Sequence, residues 1–109
     1  MAATARMLLF SGRLDPEWPV PDDHVTRLAE IWAALTPIAP QSAPAPKLGY
    51  RGVELHVDDG ALYLAVAGHV TKSRAGASET RDDAGRVFER ALIASAPPGT
   101  VPPGAPIGG

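Results

Sequence analysis

Between Tyr50 and His69, apolar and polar side chains alternate about an Asp59-Gly60 pair, the signature of two antiparallel strands joined by a tight turn. A two-residue turn places Val57 opposite Leu62, Leu55 opposite Leu64 and Val53 opposite Val66. These six apolar residues share one face, because side chains alternate along a strand. The other face carries Tyr50 opposite His69, Gly52 opposite Ala67, Glu54 opposite Ala65 and His56 opposite Tyr63. The pattern predicts strands over residues 50–57 and 61–70.

Upstream, the apolar run Met7-Leu8-Leu9-Phe10 within residues 5–11 predicts a first strand covered on both faces. A loop follows to Val20, and Pro21 suits the first turn of a helix, where a missing N–H costs nothing. Asp22 and Asp23 favour that positive helix start. Val25, Leu28, Trp32 and Leu35 recur at helical spacing, with Ala29 and Ile31 widening the stripe. Thr36-Pro37 ends the helix, because the residue before proline is pushed out of the α region. Residues 37–46 form a proline-rich extended connector to the hairpin.

After the hairpin, residues 71–79 read as a flexible loop. Thr80 and Asp83 resemble a capping box for a second helix with an apolar stripe of Ala84, Val87, Phe88, Ala91 and Leu92. Ala96-Pro97-Pro98-Gly99 stops it. The expected fold is an α+β, two-layer β-α-β-β-α domain over residues 1–97. Its small sheet contains the antiparallel hairpin and has both helices on the face of Val53, Leu55 and Val57. Residues 98–109 read as a disordered Pro/Gly tail, with too little apolar surface to bury.

Composition narrows the chemistry. A chain of 109 residues fits a single domain with one modest core. With no cysteine, disulfides, thiolate catalysis and cysteine metal sites are excluded. A formal charge of −2 argues against a dedicated nucleic-acid or membrane-surface binder. No apolar run approaches the roughly 20 residues that span a bilayer, so the expected location is the cytoplasm. Arginine outnumbers lysine eight to two, a bias that suggests a GC-rich genome and no particular binding role.

Three segments carry candidate chemistry. The first is the sheet face with Tyr50, Glu54, His56, Tyr63 and His69, which is either an interface or an ordinary solvated face. Within the two-residue-turn register, His56 and His69 are roughly 20 Å apart, too far to share a metal ion. The second is the loop from Ser11 to Trp18. Gly12 and Arg13 could meet a carboxylate or phosphate there, with Trp18 as a flat wall. The plainer alternative pairs Arg13 with Asp15 or Glu17 and uses Trp18 to plug the core. The third, Leu48-Gly49-Tyr50-Arg51-Gly52, marks a bend or a close backbone approach. No serine has a recognisable elbow or a neighbouring histidine, so no catalytic residue is assigned.

Phe10-Ser11-Gly12-Arg13-x-Asp15-Pro16-x-Trp18, followed later by Leu48-Gly49-Tyr50-Arg51-Gly52, resembles a group of small uncharacterised bacterial proteins. Their pattern reads Phe-Ser-Gly-Arg-Pro-Asn/Asp-Pro-x-Trp and then Leu-Gly-Tyr-Arg-Gly-Phe. Leu14 and Val53 depart from it. The resemblance implies that the two segments belong together, and it implies no activity. The expectation is thus a non-catalytic binding or assembly module without cofactor, acting as a homo-oligomer, most simply a dimer, or on a protein partner. The alternative is a small anionic-ligand binder or simple enzyme built on the Ser11–Trp18 loop with a sheet-face histidine.

Overall fold

The computed structural model describes residues 3–10, 16–39 and 49–100 and, of Leu9, Phe10 and residues 49–51, the backbone. In chain order the elements are β1 (Ala3–Phe10), β2 (Glu17–Pro19), α1 (Asp22–Ala34), β3 (Thr36–Ile38), β4 (Gly49–Val57), β5 (Leu62–Val66), β6 (His69–Arg74), β7 (Ala77–Asp82) and α2 (Val87–Ala94). A 3-10 turn at Ala84–Arg86 precedes α2. The class is α+β as expected, but the seven strands form one antiparallel sheet, ordered β2-β1-β4-β5-β6-β7-β3.

Helix α1 leaves one edge strand, β2, and delivers the chain to the other, β3. Pro21 stands at the N-terminal boundary of α1 without a side-chain capping bond, and Val25, Leu28 and Trp32 are buried along its predicted stripe. Leu35 is already extended, as expected for the approach to Thr36-Pro37. Arg81 of β7 closes the helix end: its Nη1 donates to the Trp32 carbonyl at 2.8 Å, and its guanidinium lies 4.5 Å over the Trp32 ring.

The central hairpin departs from its predicted register by one residue. Val57 N–H donates to Ala61 O at 2.9 Å and Gly60 N–H to Val57 O at 3.0 Å, so the loop is Asp58-Asp59-Gly60. Gly60 takes the left-handed conformation at φ +97°, the geometry of a three-residue loop with a glycine bulge. Leu55 consequently pairs with Tyr63 and Glu54 with Leu64. A one-residue slip turns every side chain of the second strand over. Tyr63 and Ala65 join Val53 and Leu55 under the helices, and Leu62 and Leu64 turn to the other face.

The second predicted strand is also interrupted. Ala67 (φ +54°) and Gly68 (φ +84°) form a two-residue turn that reverses the chain into β6. Ala75 (φ +51°) and Gly76 (φ +83°) repeat it between β6 and β7. Positive φ at both central residues defines the type I′ hairpin, which is ordinarily signalled by Asn-Gly or Asp-Gly. Residues 71–79, expected as a loop, therefore belong largely to a hairpin. Alanine tolerates the left-handed region poorly and asparagine better, so Ala75→Asn is expected to stabilise the fold by about 0.5–1 kcal/mol. Urea unfolding measures this; a destabilised variant would contradict the turn geometry.

Thr80 belongs to β7, and the second helix starts only at Val87. Phe88, Leu92 and Ile93 pack into the core, whereas Val87 of the expected stripe is 51% exposed. Tyr63 sits between Phe88 (stacked, ring centroids 5.5 Å apart) and Trp32 (edge-on, 5.7 Å). Such residues each contribute about 1.5–3 kcal/mol through burial. Of the expected C-terminal tail, Thr100 N–H donates to Pro97 O at 3.1 Å. Residues 101–109 lie outside the described residues, as do residues 40–48 of the connector.

Candidate functional site

Both helices cover the face of Val53, Leu55 and Tyr63, and the opposite face of the sheet has none of the described helices on it. Strand parity sets what this face, termed the open face for its lack of a described helix, presents. On one side Arg6 of β1 stands opposite Glu17 of β2 and Glu54 of β4. Along the middle run Leu62 and Leu64, both half-buried, with Val66 buried at the end. On the far side lie His69, Thr71 and Ser73 of β6, opposite Asp82, Thr80 and Ser78 of β7. The Thr71 and Thr80 hydroxyls share a hydrogen bond of 3.0 Å, which satisfies Thr80 although it is only 4% exposed. An apolar ridge is thus flanked by charge on one side and hydroxyls on the other.

Glu54 and His56 are neighbours on β4 and point the same way. Their side chains meet at 3.2 Å between Glu54 Oε1 and His56 Nε2. The imidazole is 52% exposed, so the pair is worth little to stability and stands open to a partner. His69 is half-buried on β6, two strands away. In the observed register His56 pairs with Leu62 and Leu62 with Ser73, four residues from His69. That still leaves the two histidines roughly 16 Å apart. Among the described residues no group of three His, Asp or Glu side chains is placed to hold a metal ion.

Three residues expected at the candidate sites are elsewhere. Tyr63, expected on the face of His56, is put in the core by the three-residue loop and is 7% exposed. Ala65, expected on the same face opposite Glu54, is fully buried beneath the helices. Trp18, expected as a ligand wall, is 2% exposed, and its indole N–H donates to Ser95 Oγ at 2.8 Å. It plugs the core, as in the plainer alternative. Gly12 and Arg13 lie outside the described residues, as does the Tyr50 side chain.

Several residues of consequence take roles that the sequence pattern leaves unread or assigns differently. Leu62 and Leu64 read as core unless the loop length is known. Asp83 is fully buried and accepts from two backbone groups at the start of α2, Phe88 N–H at 2.9 Å and Glu89 N–H at 3.1 Å. Glu89 is itself buried at 1% exposure. His24 of α1 donates through Nε2 to the Ala91 carbonyl of α2 at 2.7 Å, tying the helices together. Backbone pairing of Leu9 with Tyr50 and of Phe10 with Gly49 brings the two motif segments alongside each other.

No family model, curated protein or solved structure matches this chain. None of the described helices is long and apolar enough to cross a membrane.

Proposed function

We propose that this chain is a small non-catalytic binding and assembly module that works through the open face of its sheet, with a second copy as its first partner and another protein as the alternative. The supporting observation is the Leu62–Leu64 ridge set between a charged strip and a hydroxyl strip. Apolar centres with polar rims suit a specific contact between proteins. The sheet edges are poorly suited to pairing. Each ends in a three-residue strand containing a proline, Pro19 in β2 and Pro37 in β3, and proline offers no N–H to an incoming strand. Association through the face is therefore favoured over strand addition, and a two-fold dimer is the simplest closed form.

Light scattering at about 50 µM tests this. The native chain is expected to scatter as a species of twice the 11.3 kDa chain mass. Leu64→Lys is expected to scatter as single chains while keeping its circular dichroism, with an unfolding midpoint that no longer depends on protein concentration. A native chain that is monomeric at this concentration would contradict self-association.

A further inference from the structure

A cleft of about 380 Å³ opens on the helix side of the sheet, between the start of α1 and the loop end of the β4–β5 hairpin. This volume lies at the low end of the roughly 300–1,000 Å³ typical of small-molecule sites. Its floor is apolar, made by Leu55, Val57, Ala61 and Tyr63, and Val25 of α1 forms a wall.

The charges around it stand at separate ends. Asp59 belongs to the loop beyond β4, and its Oδ1 accepts the Ala61 N–H at 2.9 Å. Asp22 lines the same cleft from the first turn of α1. That helix starts next to edge strand β2 and finishes at β7, where Arg81 holds the Trp32 carbonyl. Lys72 belongs to β6, two strands from β4 on the β7 side, so it stands roughly 10 Å or more from the acidic end. Its Nζ lies 5.4 Å over the Tyr63 ring. An ammonium on an aromatic face, with an apolar floor between it and the Asp59 carboxylate, complements a molecule charged oppositely at its two ends.

We propose that the cleft binds a small zwitterion with its ammonium and carboxylate at opposite ends of an apolar body, of ω-amino-acid to dipeptide size. The ligand's carboxylate meets Lys72, and its ammonium meets Asp59 at the loop end. The site lies on the other side of the sheet from the Leu62–Leu64 ridge, so it stands or falls independently of the assembly reading.

The test is a titration of the full chain with 6-aminohexanoate, hexanoate and hexylamine, followed by NMR at the Leu55, Val57 and Ala61 methyl groups and the Tyr63 ring. The zwitterion is expected to bind at least about tenfold more tightly than either singly charged probe, the scale of one charge-assisted hydrogen bond. Lys72→Met should erase its advantage over hexylamine, and Asp59→Asn its advantage over hexanoate. Spectral dispersion reports whether each variant is folded, and Lys72→Gln repeats the first comparison with a polar side chain. Equal binding of the three probes, no shift at the cleft resonances, or an advantage that survives both Lys72 substitutions would overturn the proposal.

Discussion

Gly52→Ala is expected to destabilise the fold by about 3–4 kcal/mol, through two separable effects. Gly52 lies on β4 where the pairing with β1 shifts register between Met7 and Leu9, and it takes φ +111°. An L-residue at positive φ costs about 1–2 kcal/mol. The added Cβ would also stand 2.8 Å from the Ala65 carbonyl oxygen and 2.9 Å from Val66 Cβ. Overpacking of this kind costs typically about 1–3 kcal/mol, and here the nearest obstacle is backbone. Gly60→Ala separates the two effects, because Gly60 has φ +97° but an added Cβ there would meet nothing within 4 Å. It should lose only the conformational share. Urea midpoints of the two variants measure the difference, and equal losses would show that the close approach at Gly52 carries no cost.

Asp83→Ala is expected to lower stability by about 2–4 kcal/mol, with α2 affected first. The Asp83 carboxylate reaches across the 3-10 turn to the N–H groups of Phe88 and Glu89, in the first turn of α2. Arg86, which precedes the helix, offers no side-chain cap. Removing the carboxylate leaves two buried donors without their acceptor, at about 1–3 kcal/mol each before relaxation. It also removes negative charge from the positive end of the helix. Asp83→Asn keeps one acceptor oxygen and turns an amide group toward the other donor, so it should lose roughly half as much. Hydrogen exchange at Phe88 and Glu89 should accelerate in both variants. A loss in Asp83→Asn as large as in Asp83→Ala would mean that negative charge, not acceptor count, sets the effect.

The parts of this fold legible in the sequence are those set by local chemistry. Pro21 with Asp22 and Asp23 marks the start of α1, and Val25, Leu28 and Trp32 mark its buried stripe. Thr36-Pro37 marks its end. The alternation of Val53, Leu55 and Val57 correctly locates the buried face of β4. What misleads is turn geometry. Asp58-Asp59-Gly60 and Asp59-Gly60 are both acceptable loops, and the choice between them decides whether Tyr63 or Leu64 faces the helices. Ala67-Gly68 and Ala75-Gly76 are weak turn signals, because alanine rarely enters the left-handed region. Strands β6 and β7 are mostly polar, with Val70 their one large buried apolar residue, so they offer little periodicity. Of the candidate site, Glu54, His56 and His69 share a face as expected. Its apolar centre, Leu62 and Leu64, falls on the wrong side of the sheet when the register is read from a two-residue turn.

Those two leucines carry the central claim, that the open face is where this protein meets a second copy of itself. Isotope-filtered NOE spectroscopy on a mixture of labelled and unlabelled chains tests it most directly. The expected result is a set of intermolecular cross-peaks from the Leu62 and Leu64 methyl groups to residues of the same face. Intermolecular cross-peaks confined to Val87 or to the edge strands β2 and β3, or none in a sample that scatters as single chains, would contradict it.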